Sequence, residues 1–229
     1  MFDLAILWVF TLSTSLIAAI CLFDLYRYQN TQSRVEKELE KEDLELICNL
    51  AKFPYETKNE DRCVTLMEKY QLSPNASSDN WPHSEMTPFL SSCYGGSLKL
   101  IQFMLEAGAD RKFQNLNGDG ALYMATYGIA CRLRSAQCPQ QRSSEIQLGV
   151  LIIDCLIKQG CDINSRNNFG FTPLHWAATT GEKWLVDHLL KRGADPSILT
   201  YLSRAPASAF AKEEVQTLLK EAENVYHSF

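Results

Sequence analysis

Glycine and proline are scarce, at 11 and 8 of 229 residues, which excludes a collagen-like or low-complexity chain. Basic residues do not exceed acidic ones. The 22 Lys and Arg stand against 27 Asp and Glu, for a net charge of −5 and a pI near 5.4. A dedicated nucleic-acid binder needs a concentrated basic face, so the composition argues against that class. Histidine is rare, and His83, His175, His188 and His227 show no metal-ligand spacing. There is no Cys-x-x-Cys, no Gly-rich phosphate loop, no Gly-x-Ser-x-Gly elbow and no His-Glu-x-x-His helix. The residues therefore point to no metal, no cofactor, no small-molecule ligand and no enzyme. Eight cysteines fall short of a disulfide scaffold in a chain of this length.

Long apolar runs are lacking too, with one exception. Leu4 to Phe23 (LAILWVFTLSTSLIAAICLF) contains no charged residue. A helix of 20 residues rises roughly 30 Å, the thickness of a hydrocarbon core. Trp8 lies near one end, and Tyr26 and Tyr28 lie just past the other, where amphipathic rings favour the interface. A cleaved signal peptide would need a positive n-region, and only Met1, Phe2 and Asp3 precede the run. The pattern predicts a retained transmembrane helix over residues 1–25. Arg27, Arg34, Lys37 and Lys41 all follow it and no Lys or Arg precedes it, so a single-pass protein with its C-terminal bulk in the cytoplasm is expected. Residues 26–45 read as a charged helical stalk. The competing expectation is an exported protein, periplasmic or secreted, with a cleaved signal and a local disulfide between Cys131 and Cys138.

Self-similarity decides the rest. Residues 87–110 (TPFLSSCYGGSLKLIQFMLEAGAD) and 172–195 (TPLHWAATTGEKWLVDHLLKRGAD) align without a gap. Thr-Pro opens each, Gly96 and Gly181 share a position, and Gly-Ala-Asp closes each. A third copy lies between them, from Gly120-Ala121-Leu122-Tyr123 to Gly160-Cys161-Asp162. Gly108 and Gly160 are 52 residues apart, 19 more than the 33-residue period, so this copy holds a 19-residue insertion near Ala130 to Leu148. The insertion reads as a loop expansion with a basic patch (Arg132, Arg134 and Arg142 against Glu145). The copy itself lacks the Thr-Pro pair, which predicts an uncapped first helix and the least stable unit of the array.

The period and the Thr172-Pro173-Leu174-His175 opening resemble the ankyrin repeat. The resemblance implies an all-α ankyrin-repeat solenoid, with about three clear repeats and degenerate caps, after the single N-terminal transmembrane helix. The expected repeat domain is 46–227: repeats at about 84–116, 117–168 and 169–201, and caps at 46–80 and 202–227. It further implies a noncatalytic protein–protein interaction adaptor, anchored at a membrane and holding an unidentified protein partner. Proteins of this kind grip partners with finger tips and first helices, which carries over here to Leu116, Asn117 and Asp119 in the middle repeat. In the next repeat it carries over to Asn168, Phe169, Phe171, Thr179 and Thr180, with His83 and Met86 as less defined equivalents in the first. Leu116, Phe169 and Phe171 are either exposed apolar anchors or aromatics folded onto neighbouring repeats.

Overall fold

The computed structural model describes residues 43–52, 58–77 and 86–226. The expected span, nearly all of the stalk, and His83 lie outside the described residues. Among the described residues no helix is long and apolar enough to cross a membrane, and there is no strand. Helix α1 carries residues 43–52 and α2 runs Asn59–Tyr70. Three helix pairs follow: α3 Pro88–Gly95 with α4 Leu98–Glu106, α5 Ala121–Ser135 with α6 Pro139–Lys158, and α7 Pro173–Thr180 with α8 Lys183–Lys191. A 3₁₀ turn at Ala207–Phe210 and helix α9, Glu213–Tyr226, close the array.

Local chemistry sets the ends of these helices. The Thr87 hydroxyl accepts from the Leu90 N–H at 3.1 Å, and Thr172 accepts from the His175 N–H at 3.4 Å. Pro88 and Pro173 occupy the first turn, where a missing N–H costs nothing. Gly120 has no side chain to offer, and α5 starts uncapped, as its sequence predicts. The second helices of the three repeats end at Gly108, Gly160 and Gly193, all at φ between 87° and 94°. At the end of α2 the same left-handed position is held by Gln71, at φ 50°.

The turns after these helices repeat one bond. Ser73 accepts from the Asn75 N–H, Asp110 from Lys112, Asp162 from Asn164 and Asp195 from Ser197, at 2.8–3.2 Å. The N-terminal cap thus ends in the same turn as a full repeat. Two side-chain amides then lock neighbours together. Asn75 donates to the Gly108 carbonyl and accepts from the Asp110 N–H, and Asn164 does the same for Gly193 and Asp195.

First helices pack on first helices (α3 on α5, α5 on α7), while α4 meets α6 and α8 meets α9. The second helices bury equivalent side chains: Leu100, Ile101 and Met104, then Ile152, Ile153 and Leu156, then Leu185, Val186 and Leu189. Each of these fully buried side chains contributes roughly 1.5–3 kcal/mol of transfer free energy. One continuous core cluster links them from Ile47 to Leu219.

The insertion corrects the sequence reading. It is not a loop, because the added residues extend both helices of the middle repeat, to 15 residues in α5 and 20 in α6. Pro139 falls at the first turn of α6, so helix simply resumes after a short break. Two of the three arginines of its basic patch are also tied to neighbours. Arg132 pairs with Glu145 at 3.0 Å and donates to the Tyr94 carbonyl at 2.6 Å, while Arg142 pairs with Glu182 at 2.5 Å. Cys131 and Cys138 are separate thiols.

Candidate functional site

The fingers between repeats are built from short polar turns. Asn115 Oδ1 accepts from the backbone N–H groups of Asn117 and Asp119, and Asn167 Oδ1 accepts from those of Phe169 and Phe171. Thr200 takes the same role in the last finger, with its hydroxyl accepting from the Ala205 N–H at 3.2 Å. Gly118 and Gly170 complete the first two turns at positive φ, with the next finger's backbone 2.6 Å from where a Cβ would be. Adjacent tips are tied by Asn168 N–H to the Asn117 carbonyl (2.9 Å) and Tyr201 N–H to the Phe169 carbonyl (3.0 Å).

This geometry sorts the residues named from the sequence. Leu116 and Phe169 stand out at the tips, 63% and 55% exposed. Asn168 is exposed as well, but its side-chain amide is held by the Leu116 carbonyl at 2.7 Å. Asn117 and Asp119 are half-buried and face the first helices. Phe171 turns inward, with its ring 5.0 Å from that of Phe210 and 5.5 Å from that of His175. Thr179 and Thr180 direct their hydroxyls to the carbonyls of Trp176 and Ala177 in their own helix. Met86 is buried. His175 closes a capping box with Thr172, and its Nε2 reaches the Ala205 carbonyl.

Two groups escaped the sequence reading. Tyr201 and Leu202, 52% and 89% exposed, extend the ridge of Leu116 and Phe169 onto the last finger. Behind the fingers, an aromatic strip crosses all three repeats. The ring of Tyr127 is edge-on to Tyr94 at 5.4 Å and to Trp176 at 4.8 Å, and Tyr123 sits 6.1 Å from Trp176. Tyr94 and Tyr127 are one 33-residue period apart, which was the available signal.

Between the strip and the finger of Asn115, Asn117 and Asp119 lies a hollow of about 340 Å³. Lys52, Met86 and the strip residues line one side, and Asn115, Asn117 and Asp119 the other. Burial raises the Asp119 carboxyl pKa, a shift opposed by hydrogen bonds from Asn167, Asn115 and Asn117. The Asp119 phenolic neighbour, Tyr123, is likewise pushed up by burial first and then by that carboxylate. No cation pairs with Asp119 among the described residues. Also among the described residues, no group of three His, Cys, Asp or Glu is placed to hold a metal ion.

Comparison with known proteins agrees with this architecture. The family model described as ankyrin repeats (3 copies) matches residues 144–200. The chain therefore carries ankyrin repeats. It is 37% identical over 65 residues to human ankyrin repeat domain-containing protein 40, covering 28% of this chain and 18% of that protein. It is 35% identical over 69 residues to an ankyrin and IPT/TIG repeat-containing protein of Schizosaccharomyces pombe, covering 30% of this chain and 6% of that one. A longer likeness, 26% over 186 residues, is to palmitoyltransferase AKR1 of Kluyveromyces lactis, covering 73% of this chain and 23% of the enzyme. The chain thus spans less than a quarter of the length of each of these relatives.

Proposed function

We propose that this protein is a membrane-tethered ankyrin-repeat adaptor that binds a protein partner and catalyses nothing itself. The observation that carries the binding reading is the ridge of Leu116, Phe169, Tyr201 and Leu202, exposed along successive finger tips beside the aromatic strip. Large apolar and aromatic side chains held on tied turns supply contact area at little further cost in conformational entropy. The noncatalytic reading rests on the sequence, which carries no recognised catalytic motif. Burial raises Cys48 and Cys63 to about 12 and Cys161 to about 11, which makes them poor nucleophiles. Tethering rests on the uncharged run Leu4 to Phe23, and a cytoplasmic domain rests on the basic residues that follow it.

Photo-crosslinking in membranes tests the binding face. A benzoylphenylalanine at position 169 or 202 is expected to trap one common partner, while the same group at Leu151, exposed on α6, traps none. Identical adducts from all three positions would refute the ridge as the binding face. Topology is read separately by labelling the exposed thiol of Cys138 in sealed vesicles and by a reporter fused after Phe229. Labelling from the lumenal side only would replace the tethered cytoplasmic reading with the exported one.

A further inference from the structure

Asp119 is a half-buried acid with aromatic rings across from it and no ion pair among the described residues. Its carboxylate accepts from the Asn167 amide at 2.9 Å and is surrounded by amides, which hold it in place without neutralising its charge. Across the hollow stand Tyr123, Tyr127 and Trp176, whose rings carry negative faces. A carboxylate opposed to such faces is a poor site for an anion and a good one for a cation. The hollow is roomy enough, at about 340 Å³, for a side chain with a planar or ammonium head. The lysine in the lining, Lys52, lies over the Tyr94 ring at 5.5 Å and forms no ion pair with Asp119. The exposed ridge of Phe169 and Leu202 is available for apolar residues of the same segment.

We propose that the hollow between Asp119 and the Tyr123–Tyr127–Trp176 wall receives a lysine or arginine side chain of the protein partner, with neighbouring apolar residues of that segment on the finger ridge. The proposal rests on the adaptor reading and adds the chemistry of what is recognised. The cation gains a charge-assisted hydrogen bond to Asp119 and the ring faces of the wall, both in a site partly shielded from water. A neutral side chain leaves the carboxylate without a counter-charge.

The test is to pan a random dodecapeptide display library on the full chain in detergent micelles, then measure the enriched peptides by fluorescence anisotropy. The expected result is a lysine or arginine at one shared position. Affinity should fall about tenfold or more when that residue is replaced by glutamine, and about tenfold in Asp119→Asn. Asn keeps the oxygen that accepts from Asn167, and an unchanged unfolding midpoint confirms that the variant is folded. Enriched peptides without a shared basic residue, or indifferent to Asp119→Asn, would overturn the proposal. If those peptides were still lost on Phe169→Ala with Leu202→Ala, the adaptor reading would survive without it. A panning that enriches nothing would count against both.

Discussion

Gly128 marks a close approach between two repeats. A Cβ on this residue of α5 would lie 1.9 Å from the Tyr94 carbonyl oxygen, and that obstacle is backbone. Gly128→Ala must push α3 and α5 apart, and a loss of about 3 kcal/mol is expected, read as a lowered urea midpoint. An unchanged midpoint would show that the helices can part freely. His175 is a second sensitive residue. Its Nδ1 receives the Thr172 N–H at 3.3 Å, while its Nε2 faces the Ala205 carbonyl at 3.3 Å. The ring therefore fits as the neutral Nε2–H tautomer, and burial lowers its pKa below 6.5. A depressed pKa means that the unfolded chain binds the proton more readily. The stability contributed by the neutral ring is present above pH 6.5 and is lost as pH falls below it toward the folded pKa. The melting temperature should thus decline as pH falls from about 7 to about 5, and more steeply than in His175→Asn. Parallel declines would remove His175 as the cause.

The insertion is the element that changes most between sequence and structure. Two of its three arginines reach in opposite directions, Arg132 to the repeat before and Arg142 to the repeat after. Arg132 also lies over Gly96, where its guanidinium occupies the space a Cβ would take. The Arg132–Glu145 pair is mostly buried, with side chains 16% and 22% exposed. Removing one partner leaves a charge and a carbonyl without their bond. Arg132→Met should cost about 2 kcal/mol, and a double-mutant cycle with Glu145→Met should return a coupling of about 1 kcal/mol. Zero coupling would mean that the two charges act independently. None of this clamp is legible in the sequence, where three Arg near one Glu look like a basic loop. The helix ends, by contrast, are written locally. Thr-Pro at the start and Gly at the close are conformational requirements of single residues and need no partner to be read.

At the scale of the whole array, the middle repeat should be firmer than its missing cap suggests. It lacks the hydroxyl cap, but its helices are 15 and 20 residues long against 8 and 9 in each flanking pair. It also packs on a neighbour at both sides, and stability in a repeat array is a sum over such interfaces. Amide hydrogen exchange should find Ile152, Ile153 and Leu156 at least as protected as Leu185, Val186 and Leu189, with early exchange confined to the first turn of α5. Faster exchange throughout α6 would restore the middle repeat as the weakest unit.

By itself the sequence determined the repeat architecture, because a period of 33 residues with Thr-Pro and Gly punctuation imposes the same turns wherever it recurs. It also marked Leu116, Asn117, Asp119 and Phe169 as finger residues, since finger positions follow from the same count. Which of those face outward was decided only by the tertiary structure. Phe169 and Phe171 are two residues apart and equally apolar, yet one is exposed and the other is covered by Phe210 from the next unit. The aromatic strip and the unpaired charge of Asp119 were decided there too. Both depend on side chains from separate repeats meeting across an interface, and the period of one repeat does not encode that meeting.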